Sequence, residues 1–119
     1  MSDLQHRLAQ MGPDIESQLR PQLSGFFGGL IRGYLPQAWV FKTEKATATL
    51  VVNRSGSVVV VDGAVQAADV AITWGHEQLM AALLTRSRSK IPPGPSPHTS
   101  FLTPKGRTAF NFLRNRLGL

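Results

Sequence analysis

Three histidines, His6, His76 and His98, are the side chains best suited to shuttle protons or hold a metal near neutral pH. None of them lies at metal-ligand spacing to another ligand. His76-Glu77 begins like a zinc-hydrolase motif, but Met80 stands where the second histidine would be needed. No serine sits in a Gly-x-Ser-x-Gly elbow, and the pair Gly28-Gly29 falls far short of a phosphate-binding loop. There is no cysteine, which excludes disulfides and thiolate metal sites and fits a cytoplasmic compartment. These residues predict a protein that is not an enzyme and carries no cofactor and no metal.

Charge is the more informative chemistry. Thirteen Lys and Arg face seven Asp and Glu in 119 residues, a formal net charge of +6. The excess is concentrated at one end. Arg86, Arg88, Lys90, Lys105, Arg107, Arg114 and Arg116 fall in a stretch, 86–116, without a single acidic residue. Such a segment suits an anionic membrane surface, an acidic protein or nucleic acid, and it equally suits a solvated face that keeps the chain soluble. No helix-turn-helix, KH or RRM signature accompanies the charge, so nucleic acid ranks last among these partners.

The elements that must position these residues follow from hydrophobic period. Leu4, Leu8 and Met11 recur at helical spacing, and Gly12-Pro13 is expected to stop that helix. A second helical pattern covers about 14–32, with Pro21 expected to break or kink it. The glycines around Phe26 and Phe27 allow either close packing or a mobile lid. From Ala38 to Thr73 the period changes to two, with turns at Asn53–Gly56 and Asp62-Gly63. Residues 57–61 are so uniformly apolar that a strand buried on both faces, or one covered by helices, is expected. A helix from His76 to Arg86 should bury Leu79, Met80, Leu83 and Leu84. The proline-rich stretch 87–97 reads as a loop, held by its own stiffness or flexible, and His98 to Leu102 as a short strand. Thr103-Pro104 then starts a last helix, about 104–117, which sets Ala109, Phe110, Leu113 and Leu117 on one face. The plan is α+β: about five strands, mostly antiparallel, with helices packed on one face. One domain fills residues 1–119, with a helical N-terminal segment (1–35) ahead of a sheet-bearing part (36–119). The N-terminus shows no apolar run behind a basic start, no stretch reaches membrane-spanning length, and Arg116–Leu119 is not a peroxisomal address.

Residues 39–117 resemble the sterol carrier protein type 2 family. The most specific match is Ala68-Asp69-Val70-Ala71-Ile72-Thr73 followed by the leucine-bearing helix of Glu77, Gln78, Leu79, Leu83 and Leu84. Thr49–Asp62 resembles the family hairpin, and Lys105-Gly106-Arg107 with the helix behind it resembles the family's closing segment. Two features depart from the family: the prolines of 91–97 and Pro104, which would shorten the last strand. The resemblance implies a lipid-binding protein whose sheet and helices enclose an apolar tunnel for a sterol, fatty acyl or isoprenoid-like molecule. By position it implies a lining of Trp39, Phe41, Leu50, Val58, Val60, Ile72, Leu79, Leu83, Phe101, Phe110 and Leu113. Periodicity alone does not separate a lined cavity from an ordinary filled core, so a structural or protein-interaction module stays open beside lipid binding or transport. Oligomeric state is not legible.

Overall fold

The computed structural model describes residues 2–25, 28–85 and 88–113, with backbone alone at 22, 30, 31, 88, 112 and 113. Alternation in the middle of the chain produces one sheet. Its strands are β1 (Gln37–Lys42), β2 (Thr47–Val52), β3 (Val58–Asp62), β4 (Val70–Thr73) and β5 (His98–Phe101), in the order β3-β2-β1-β4-β5. Three neighbour pairs are antiparallel, and β1 with β4 is parallel. Because successive side chains point to opposite faces, register sorts the residues into rows. Phe101, Val70, Trp39, Leu50 and Val60 lie side by side across one face, and Thr99, Ile72, Phe41 and Ala48 form the next row.

Among the described residues four helices accompany this sheet: α1 (Asp3–Ser24), α2 (Gly28–Arg32), α3 (His76–Thr85) and α4 (Pro104–Leu113). α1 rests on β2 and β3 and against α2 and α3, whereas α4 rests on β4 and β5. Apolar residues of α1, α3 and α4 and the first two rows of the sheet make one core, so the N-terminal segment and the sheet share a single interior.

The helix-free face is closed differently. Residues 63–69 must carry the chain from β3 past β2 and β1 to β4. Thr49 Oγ1 donates to Gly63 O at 2.7 Å, and Asp69 N donates to Ala38 O at 2.8 Å. Thr49 and Val40 are paired neighbours on that face, yet they are only 0% and 8% exposed. Among the described residues, the strap between β3 and β4 meets this face at Thr49 and joins β1 at Ala38.

Several expectations need correction. α1 is one 22-residue helix with Pro13 and Pro21 inside it, not two. Proline removes a helical hydrogen bond and crowds the preceding turn, but Leu4, Leu8, Met11, Ile15, Leu19 and Leu23 form an unbroken buried stripe that holds both halves on the core. The valine run is an edge strand and not one buried on both faces: Val59 is 49% and Val61 38% exposed, while half-buried Val58 and Val60 on the other face lie under α1, as the helix-covered alternative expects. Leu84 is 59% exposed, and Ala82 takes the inward place expected of it on α3. The proline-rich stretch contains a 3-10 turn at Arg88–Lys90. It is tied down beyond that turn by Gln78 Nε2 donating to Pro93 O and Trp74 Nε1 donating to Pro95 O. At those points side chains from other elements, and not the stretch's own prolines alone, hold it. Phe26, Phe27, Arg86 and residues 114–119 lie outside the described residues.

Candidate functional site

The expected lining residues do converge. Trp39, Phe41, Leu50, Ile72, Leu79 and Leu83 are buried in the common core, and Val58, Val60, Phe101 and Phe110 pack against it half-buried. Leu113 ends α4, and its side chain lies outside the described residues. Three aromatic members, Trp39, Phe101 and Phe110, form a stack. Phe110 lies 5.4 Å from Trp39, tilted by 39°, and 5.4 Å from Phe101 at 69°. Edge-on and tilted contacts of this kind each add about 0.5–1.5 kcal/mol beyond burial. Arg107 covers the outer side of Phe101, its guanidinium carbon 4.9 Å from the ring centre.

Two polar clusters hold the helices at opposite ends of β1. At the Ala38 end the buried carboxylate of Asp69 accepts from Ala38 N (3.0 Å) and from Thr103 Oγ1 (2.7 Å), with Lys105 Nζ at 3.7 Å. Thr103 Oγ1 in turn accepts from Gly106 N at 3.0 Å, which makes Thr103 the N-cap and Pro104 the first residue of α4. A side chain at Gly106 would collide with the Asp69 carbonyl, so only glycine permits this approach. Two of the fragments that carry the family resemblance, Ala68–Thr73 and Lys105–Arg107, thus meet in space as a structural clasp.

At the Lys42 end, Thr43 Oγ1 accepts from Lys45 N and Ala46 N at 3.1 and 3.0 Å and contacts His76 Nδ1 at 3.0 Å. Its oxygen is occupied as a turn cap and offers no free nucleophile. Glu44 accepts from His76 N at 3.0 Å and so caps the start of α3. Its carboxyl is held below its usual range, first by its own backbone amide, which outweighs an opposing desolvation effect, and then by the His76 N–H and the nearby charges of His76 and Lys45. At the far end of α3, Arg7 donates to Leu83 O at 2.7 Å. His6 and His98 are exposed on α1 and β5, and no group of three His, Cys, Asp or Glu able to hold a metal occurs among the described residues.

The basic residues are not equivalent. Lys90 and Arg107 are exposed. Lys105 is engaged, donating to Pro36 O at 2.7 Å beside Asp69. Arg88 is described in backbone only, and Arg86, Arg114 and Arg116 fall outside the described residues. A separate polar cleft of about 110 Å³ lies between α1 and the β2–β3 turn, lined by Glu16, Arg20, Ser55, Gly56 and Ser57. There Glu16 Oε1 accepts from Val58 N at 2.7 Å, which satisfies one donor at the start of the edge strand.

Sequence reasoning missed one buried polar residue in the aromatic neighbourhood. Gln37 is 1% exposed and its Oε1 accepts from Trp39 Nε1 at 3.0 Å. The signal was available: Gln37 shares its face with Trp39 and Phe41 by simple alternation, and a lone amide there breaks an otherwise apolar pattern.

What these residues define is an α+β layer protein with a helix-covered, largely apolar sheet face. No protein-family model and no curated protein matches the chain. A solved structure described as "UbiJ-SCP2 Ubiquinone synthesis protein" is similar to it, covering 91% of this chain and 89% of that chain at 14% identity and a TM-score of 0.45. No helix among the described residues is long and apolar enough to cross a membrane.

Proposed function

We propose that the protein binds an apolar, lipid-like molecule between its helices and the covered face of its sheet, without catalysis. The observation that carries the reading is the Trp39–Phe101–Phe110 stack, where α4 meets the sheet. Phe101 and Phe110 are only half-buried there, although they adjoin fully buried Trp39 and Val70. α3 is fastened at the Lys42 end of β1 and α4 at the Ala38 end. The helical cover is therefore assembled from pieces anchored apart, and separating them requires no break in the sheet. Burial of a long chain at about 0.8 kcal/mol per methylene would supply the affinity. The absence of catalysis is favoured by the commitment of Thr43, Glu44, Asp69 and Thr103 to structural hydrogen bonds. Exposed Lys90 and Arg107 support docking on an anionic membrane or acidic partner during loading.

A second reading, a module with a filled core, is favoured by the complete burial of Phe41, Leu79 and Leu83. Native mass spectrometry of protein purified from its own cells separates the two. A co-purified lipid mass supports binding. A bare polypeptide mass, together with unchanged Trp39 fluorescence on titration with sterol, fatty acid and isoprenoid probes, leaves the filled core.

A further inference from the structure

Gln37 heads β1 on the helix-covered face and is 1% exposed. Its carboxamide carries two donor hydrogens and one acceptor oxygen. The oxygen accepts from Trp39 Nε1 at 3.0 Å, and Nε2 donates one hydrogen to Tyr34 O at 2.6 Å. The second hydrogen has no acceptor among the described residues. Buried donors are almost always paired, and this one cannot satisfy itself by turning. A flipped amide would set its NH₂ group against the indole N–H, donor against donor. An aliphatic side chain would fill the same place in an apolar layer without the deficit.

We infer that Gln37 is the polar recognition group of the apolar site, and that its spare amide hydrogen donates to a carbonyl oxygen on an otherwise apolar guest. The inference rests on the lipid-binding reading above. The guest's polar end is neutral. Of the cations bonded to the segment just before Gln37, Lys105 is already spent on Pro36 O and Asp69, and Arg54 is exposed with its Nε on Leu35 O. A carboxylate at Gln37 would therefore be buried without a counter-charge. Gln37 thus selects among apolar guests instead of providing their affinity, because the hydrocarbon contacts come from the aromatic stack and its neighbours.

The test is displacement of an environment-sensitive apolar fluorophore from the full chain by two probes, a long-chain methyl ketone and the n-alkane of equal length. The wild type should prefer the ketone by about tenfold, the equivalent of one net hydrogen bond. Gln37→Met keeps the length of the side chain and removes both donors. It should abolish the preference, so that the ketone and the alkane bind alike. That variant strands the indole N–H, so the double variant Gln37→Met/Trp39→Phe, which removes both partners, must show the same loss, with each fold checked by circular dichroism. Equal binding of the two probes to the wild type, or an equal weakening of both in Gln37→Met, would overturn the role of Gln37 and leave the apolar site standing. Failure of the wild type to bind the fluorophore or either probe would remove the apolar site, and this inference with it.

Discussion

Asp69 ties together the start of β1, the start of β4 and the N-terminus of α4 through one buried carboxylate. Replacing it by alanine strands the Ala38 N–H and the Thr103 hydroxyl, and hydrogen bonds to a charged group are worth about 1.5–3 kcal/mol each. Asp69→Ala should therefore lower the unfolding free energy in urea by about 3 kcal/mol, and Asp69→Asn, which keeps one acceptor, by less. A loss under about 0.5 kcal/mol would mean the clasp is ornamental. Glu44 makes a separate, pH-dependent claim. Its folded carboxyl is held below its ordinary range, so its stabilisation is present above that range and disappears as pH falls through it. The stability gap between wild type and Glu44→Gln should be full above the ordinary carboxylate range and shrink as the pH is lowered beneath it; a gap that does not shrink in acid contradicts the capping role. The sequence displays both residues without their partners. Asp69 meets groups 31 and 34 positions away, and Glu44 meets one 32 away, distances over which period and turn chemistry say nothing.

Elements were more legible than their ends. Alternation marked the strand-forming region that holds β1, β2 and β4, and Thr103-Pro104 marked the start of α4, because those signals are local. Two readings failed where a tertiary effect outweighed a local one. Gly12-Pro13 is a strong stop signal, but the stripe from Leu4 to Leu23 buries six large side chains and overrides it. The unused penalty should then be recoverable. Pro13→Ala is expected to raise stability by about 1 kcal/mol or more, and a fall in the denaturation midpoint would show that the ring itself packs usefully. The valine run of β3 carries no alternation, so only topology reveals it as an edge with one wet face. Val61→Lys, on that wet face, should change stability by no more than about 0.5 kcal/mol. Ile72→Asp, at 1% exposure between Phe41 and Thr99, should prevent folding, because an unpaired carboxylate there costs several kcal/mol. Circular dichroism with a native spectrum for Ile72→Asp would refute the face assignment.

At the scale of the molecule, charge and architecture are divided along the chain. The covered face is built by residues from both halves, whereas the acid-free stretch 86–116 contributes the 3-10 turn, β5 and α4. That stretch looked uniform in the sequence because charge count does not reveal which cations are already partnered. Lys105 belongs to the clasp, and Arg107 lies over Phe101 while remaining exposed. Docking on an anionic surface should accordingly depend on Lys90 and Arg107 and only weakly on Lys105. Each cation near such a surface contributes about 1 kcal/mol, so Lys90→Glu/Arg107→Glu should weaken binding to phosphatidylserine vesicles by tenfold or more. The affinity should also fall as salt rises from ~0.01 M to ~0.1 M and the Debye length shrinks from about 30 Å to about 10 Å. Lys105→Ala should instead cost stability and leave vesicle affinity nearly unchanged at temperatures where it stays folded. Nucleic acids would share the salt dependence, so single- and double-stranded DNA and RNA belong beside the vesicles. Tight nucleic-acid binding with none to vesicles would replace the membrane assignment, and binding to neither would reduce the charge to a means of staying soluble.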